Sequence, residues 1–396
     1  MSQYFLPVAI ANNIKIEIKE VDKHNVFLTP YLSNQLIYNK TKIEKFINKW
    51  EYMKKITNPY EYIHTNIPNT KNALCMYKPL SRSYFKMIEM INVSNLFSGT
   101  DYIMGINSFH LAEGPGGFIE AIANTRKNIN DKYYGMTLID NKQYVPGWKK
   151  ITKILDKYPN IIIEKGQDNT GDLLNIENFT YCYSKYKNSM HIITADGGFD
   201  FSINYNMQEV ISLELLFAQI AYAIILQKKG GTFIIKIFDV FSSAMVDLIY
   251  LLTSVYSEIS FYKPYTSRPA NSEKYLICKK FRLEDSSLMM PQLLNIFNFF
   301  KQKKNNNKIL GTDYFIDRFI HNNIPLIFRY KLEEININLG QQQLETIDNT
   351  LRLIKCPASA DRISTITKSN IEKCVKWCKA NNQPFVKKYS NHNIFL

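Results

Sequence analysis

The sequence predicts an α/β fold: a mostly parallel sheet flanked by helices, with a largely helical extension at its C-terminal end. Three observations predict it. From residue 71 to about 283, short apolar strand patterns alternate with helical ones in the βαβ manner. A glycine-rich turn, "EGPGG" at 113–117, joins an apolar strand to a helix. After "YLICKKF" the strand patterns give way to helical periodicity. With 45% hydrophobic and 21% charged residues, the 396-residue chain has the composition of a globular protein able to fill a core.

The elements follow in order. Residues 1–70 form an N-terminal extension, with a helical stretch "KTKIEKFINKWEYMKKI" and a Pro/Asn-rich segment after it. Residues 71–283 form the sheet-bearing domain. In it "SRSYFKMIEMI" reads as a helix with Ser81 as its cap. "SFHLAE" is a strand and "GFIEAIANTR" the helix leaving the turn. "YYGMTLI" is a second strand, closed by Asp140; "MHIITADGG" is a third, ending at Asp196. The long apolar helix "QEVISLELLFAQIAYAIILQ" leads to the strand "GGTFIIKIF", which carries Lys236, and Glu273 stands at the entrance of the late strand "EKYLICKKF". Residues 284–396 read as helical throughout, in "LLNIFNFFKQK", "TDYFIDRFIHN", "GQQQLETIDNTLRLIK" and "SNIEKCVKWCKAN".

Bulk properties narrow the function classes. No apolar run approaches the roughly 20 residues that cross a bilayer. The N-terminus lacks a basic region before its short apolar stretch, a poor signal peptide, so an intracellular protein without a membrane partner is expected. Six scattered cysteines complete no metal pattern and read as buried free thiols. The net charge of +14, from 49 basic and 35 acidic side chains, favours a polyanionic partner, nucleic acid before membrane.

The glycine turn is neither Gly-x-Gly-x-x-Gly nor a P-loop, since it holds a proline and lacks the lysine that would meet a γ-phosphate. Alone, it is as well read as a Gly-Pro bend with no ligand. Its context says more. "LAEGPGGF" resembles the S-adenosylmethionine loop of the FtsJ-like (RrmJ-type) ribose 2′-O-methyltransferases. The resemblance continues in order through "SRSYFKMIEMI", "TADGGFDF", "LQKKGGTFIIKIFD" and "KPYTSRPANSEKYLICKKF". "YGMTL" and "TGDLLNIENF" resemble the mRNA cap branch, including versions in large DNA viruses. The outer regions are not covered.

The resemblance implies a Rossmann-like fold, S-adenosylmethionine as cofactor, no metal, and methyl transfer to a ribose 2′-oxygen near the 5′ end of capped mRNA. The family tetrad Lys-Asp-Lys-Glu falls on Lys86, Asp196, Lys236 and Glu273, with Lys236 as general base. A lysine works as a base only when neutral, so desolvation and a second ammonium would have to lower its pKa. The bland readings are a solvent-facing edge lysine, a strand-ending aspartate and a surface glutamate. For the cofactor, the resemblance assigns Gly114, Pro115, Gly116, Gly117 and Phe118 to the methionine and ribose site and Asp172 to the adenine end. Asp140, at the end of the second strand, is placed for the ribose hydroxyls. Glu113 departs from the small residue often found before the first glycine.

On the RNA side, Lys78, Arg82, Lys263 and Arg268 flank the motifs as phosphate contacts or as plain surface charges. Trp50, Tyr52, Tyr60 and Tyr62 are aromatics that would stack a cap guanine or simply pack. Other capping-complex subunits are further partners, and the cytoplasm, as a viral replication site or the virion, is the implied location. The alternatives are the same chemistry on ribosomal or transfer RNA, and a non-catalytic RNA-binding subunit.

Overall fold

The computed structural model describes residues 3–9, 14–99, 102–140, 147–198, 207–356 and 359–389. The N-terminal region contributes strands β1 (Tyr4–Phe5) and β2 (Ile16–Val21) and helices α1 (Pro30–Glu44) and α2 (Ile47–Thr57). Then come α3 (Ser83–Ser94), β3 (Asn107–Leu111), α4 (Gly117–Arg126), β4 (Lys132–Met136), α5 (Thr152–Lys157), β5 (Ile161–Ile163) and α6 (Ile176–Tyr186). The second half of the sheet region holds β6 (Met190–Ala195), α7 (Gln208–Leu226), β7 (Gln227–Ile237), α8 (Ser243–Val255), β8 (Tyr256–Tyr262) and β9 (Lys274–Phe281). The chain continues with α9 (Met290–Asn305), β10 (Phe315–Ile320), α10 (Leu326–Lys355) and α11 (Ala360–Ala380).

Eight strands form one sheet in the order β1-β8-β9-β7-β6-β3-β4-β5. From β5 to β7 all neighbours run parallel; β9 is reversed and wedged between β7 and β8. The chain builds β3, β4 and β5 outward in one direction, then returns to place β6 on the other side of β3. The crevice at the carboxyl ends of β3 and β6 is therefore the switch point where open α/β sheets bind ligands.

Strand alternation sends side chains to two cores. Ile192, Ile234, Tyr275 and Ile277 face α3, α4 and α11, while Ile193, Phe233, Ile235, Leu276 and Cys278 face α6 to α10. The outer regions share these cores: Ile16 and Leu28, and Phe297, Phe319 and Phe328, join the second cluster, and Trp377 joins the first.

Three sequence expectations change. "TDYFIDRFIHN" is not helical: residues 315–320 form β10, antiparallel to β2. Its apolar residues at 316, 319 and 320 mimic helical spacing, but tertiary partners decide. The Phe319 and Ile320 amides donate to the buried Asp247 carboxylate of α8, at 2.8 and 3.2 Å, and β2 supplies the ladder. Ser81 does not cap α3; Arg82 holds that position, and the Ser81 hydroxyl lies 2.5 Å from that of Ser83. Finally, α7 is long and apolar enough by length and composition to cross a membrane, with 19 residues and a mean hydropathy of 1.8. In this fold 83% of that stretch is buried, packed between the sheet and its neighbouring helices.

Candidate active site

The loop leaving β3 is shaped by close backbone approach. A side chain on Gly114 would meet the Gly147 carbonyl at 2.7 Å, and Gly116 holds φ +109°, a left-handed conformation that glycine adopts without strain. Glu113 is buried beneath this turn, and its carboxylate accepts the amides of Phe118 at 2.5 Å and Ile119 at 2.9 Å. Burial raises its pKa well above the usual carboxylate value, against those two hydrogen bonds. The residue that departed from the expected pattern thus serves as an internal cap of α4.

Gly114 and Pro115 remain half-open to the crevice. Gly117 and Phe118 do not present their side-chain positions to it. A Cβ on Gly117 would strike the Ser83 and Ser81 hydroxyls, because α3 and α4 touch there, and Phe118 is fully buried with its ring 5.9 Å from that of Tyr275.

Two neighbouring strand ends complete the crevice, and Thr137 joins them. Its hydroxyl accepts the Gly114 amide at 3.3 Å, while a Cβ on Gly171 would lie 2.1 Å from its carbonyl oxygen. Gly171, at φ +64°, therefore lets the Gly-Asp loop press against the end of β4. Asp172 beside it is half-buried and accepts the Leu174 amide at 2.9 Å; Asp140 is half-buried and does not close the second strand, since β4 ends at Met136 and Asp140 lies in the loop beyond it. Sequence reasoning passed over Thr137, and only the spatial convergence of three loops identifies it.

Across the crevice the four charged residues form two ion pairs. Lys236 Nζ lies 3.2 Å from Asp196 Oδ1 and donates to the Asp196 carbonyl at 2.6 Å. Lys86, from α3, lies 2.7 Å from Glu273. The Lys86 and Glu273 side chains are 5% and 12% exposed, and those of Lys236 and Asp196 are 12% and 15% exposed, so both pairs are largely desolvated while keeping an opening. Burial acts to raise the Glu273 pKa, but the ammonium groups of Lys86, Lys236 and Lys263 hold it far below the usual range.

Tyr275 binds the two pairs together. It is the register partner of Lys236, donates to Asp196 at 2.9 Å and lies under Lys86, whose Nζ is 6.0 Å from its ring centre. Burial, reinforced by Asp196 and Glu273, pushes its phenol well above the ordinary value, so it remains a protonated donor. Its signal was the tyrosine two residues after Glu273. Ser267 donates to Glu273 at 2.9 Å. Glu89, one turn beyond Lys86, accepts from Tyr262 and from the amides of Tyr265 and Thr266, fixing the loop that delivers Ser267. The end of the "TADGGFDF" motif, residues 199–201, lies outside the described residues.

The charges offered as phosphate contacts divide. Lys263 is buried, donates to the carbonyls of Asn271 and Glu273, and is pushed by burial down to about 7 against the pull of Glu273. Arg268 forms a two-pronged pair with the buried Glu61 at 3.0 and 2.7 Å. Both are structural in this arrangement; Lys78 is exposed and Arg82 half-buried. Trp50 packs on Ile347, Leu351 and Ile354, and Tyr62 is buried. Neither can stack a base. Tyr52 is 62% exposed, and Tyr60 lies 4.9 Å from the Tyr265 ring.

A glycine loop at a sheet switch point, facing paired lysines and carboxylates, defines a Rossmann-like group-transfer site. The family model described as FtsJ-like methyltransferase matches residues 79–281, just over half of the chain, and the chain belongs to that family. The cap-specific mRNA (nucleoside-2′-O-)-methyltransferase 2 of Pongo abelii is 27% identical over 353 residues, covering 85% of this chain and 43% of that protein. The cap-specific mRNA (nucleoside-2′-O-)-methyltransferase 1 of Homo sapiens is 36% identical over 177 residues, covering 42% and 20%. The chain thus spans less than half the length of these relatives. A ribosomal RNA methyltransferase structure from Plasmodium falciparum covers 51% of this chain and 97% of its own, at 21% identity and a TM-score of 0.36.

Proposed function

We propose that the protein is an S-adenosylmethionine-dependent RNA ribose 2′-O-methyltransferase acting on the first transcribed nucleotides of capped mRNA. The observation that carries this reading is the pair of lysine–carboxylate contacts, Lys236–Asp196 and Lys86–Glu273, gathered around Tyr275 beside the β3 loop. The names of the relatives support the capped-mRNA substrate.

The crevice fits the cofactor. Its floor is the turn at Gly114 and Pro115, both half-open, and half-buried Asp140 and Asp172 lie in the loops beyond β4 and β5. Gly114, Pro115 and Gly116 would hold the methionine and ribose end, Asp140 the ribose hydroxyls and Asp172 the adenine. S-adenosylmethionine supplies a sulfonium-activated methyl group with a neutral thioether as leaving group. The remaining work is to orient the ribose 2′-hydroxyl and take its proton.

Lys236 is the base in this reading. Asp196 orients its amine through the 3.2 Å contact, and Tyr275 holds Asp196 from the other side. Lys86, fixed by Glu273 at 2.7 Å, lies where the substrate ribose or phosphate would arrive. Transfer measured on capped and uncapped transcripts of one sequence tests the assignment. Strong preference for the capped RNA is expected, and equal methylation of both would reject cap dependence.

A further inference from the structure

A polar chain with no access to solvent runs beneath the glycine loop. Ser108 Oγ is 2.8 Å from His110 Nε2, and His110 Nδ1 is 2.7 Å from Thr194 Oγ1 and 3.6 Å from Glu113 Oε2. Ser108, His110 and Thr194 are wholly buried and Glu113 is 3% exposed. Ser108 and His110 belong to β3, and Thr194 to β6, two residues before Asp196. Glu113 closes the chain at the loop, binding the Phe118 and Ile119 amides, while its carbonyl accepts the Gly116 amide at 2.7 Å. Buried polar groups are retained only when satisfied, and nothing in the proton transfer uses these.

We infer that Glu113 is a positioning residue: its carboxyl oxygens are the internal acceptors of α4's N-terminus, and the His110–Thr194 link sets the loop's height against the strand that ends in Asp196. The inference rests on reading the loop as the S-adenosylmethionine site. It also explains why a glycine loop leading into a helix is not a phosphate site here. The Phe118 and Ile119 amides, which would attract an oxyanion at a helix N-terminus, are already taken by a side chain.

The test is calorimetric titration of the full chain with S-adenosylhomocysteine, with melting temperature measured alongside. Glu113→Ala should weaken binding about 10-fold or more, the effect of losing two buried hydrogen bonds that fix the loop. Added formate, which can refill the vacated carboxylate position, should recover much of the loss in this variant and change nothing in the wild type. Glu113→Gln sets an amide N–H against backbone N–H donors, so it should be weakened without formate recovery. Thr194→Val, which removes only the hydroxyl facing His110, should weaken binding several-fold and lower the melting temperature modestly by leaving a buried ring nitrogen unpaired; it carries the test if Glu113→Ala does not fold. Unchanged affinity in the folded variants, or a Glu113→Ala loss that formate never recovers, overturns the inference. A wild-type protein that binds no S-adenosylhomocysteine overturns the cofactor reading itself.

Discussion

Lys236 and Tyr275 stand opposite each other across β7 and β9, and both end on Asp196, at 3.2 and 2.9 Å. A carboxylate held by two donors from adjacent strands cannot swing, so the amine it faces is fixed as well. The antiparallel insertion of β9 is what makes this possible, because it sets a phenol beside a lysine at the sheet's carboxyl end.

Removing the amine should therefore abolish chemistry without emptying the site. Lys236→Ala is expected to lower methyl transfer by roughly 10²–10⁴-fold, the usual contribution of a positioned base. S-adenosylhomocysteine affinity should change only a few-fold. Tyr275→Phe should give a smaller loss, since Asp196 keeps its contact with Lys236. Single-turnover rates with RNA in excess separate these effects; full activity in Lys236→Ala would reject the base assignment.

The glycine at 171 should resist substitution. A methyl group there would lie 2.1 Å from the Thr137 carbonyl at a positive φ, so Gly171→Ala must push the Asp172 loop off β4. The expected outcome is a loss of S-adenosylhomocysteine affinity of about 10-fold, equivalent to roughly 1.4 kcal/mol. Titration of the folded variant measures it directly.

Acid sensitivity has a defined sign. Burial pushes His64 down to about 4 and His110 to about 3, both from 6.5, and both ring nitrogens of His64 are buried without a hydrogen-bond partner. Between about pH 6.5 and 4 the unfolded chain takes up protons at these positions and the folded one does not. Stability is therefore complete above pH 6.5 and falls as the pH drops through that window. His64→Phe should flatten part of the fall, read from the difference between the two melting-temperature profiles. Identical slopes would contradict the assignment.

The outer regions are joined to the sheet by a buried ion pair. Asp247, wholly buried, receives Arg318 at 2.7 Å together with two β10 amides. Arg318→Ala strands that carboxylate and should cost about 2–4 kcal/mol, reduced from the fully buried case because Arg318 is partly exposed. Urea unfolding should register the loss, while S-adenosylhomocysteine affinity of the folded protein stays unchanged.

Sequence carried the site further than it carried the periphery. Strands β3, β6, β7 and β9 and helix α4 were legible because apolar runs end sharply at glycines or charges. Lys236 was legible because charge inside such a run is costly without a partner, whereas Lys86, Asp196 and Glu273 came from the resemblance to the family's motifs. Strand β10 was not, since its pairing with β2 links residues almost 300 positions apart. Trp50 packs, as one of its two readings had it, against α10. Lys263 is neither a phosphate contact nor a surface charge, because the carbonyls that hold it, Asn271 and Glu273, are backbone atoms of a nearby turn. Glu113 looked like an irregularity because its partners, two amides of the next helix, are backbone atoms that no side-chain pattern announces.

The most direct measurement is mass spectrometry of nucleosides from a capped transcript incubated with the protein and a methyl-labelled donor. One labelled methyl is expected on the ribose 2′-oxygen of a first transcribed nucleotide, lost in Lys236→Ala. Label on a base, or on RNA regardless of the cap, would contradict it.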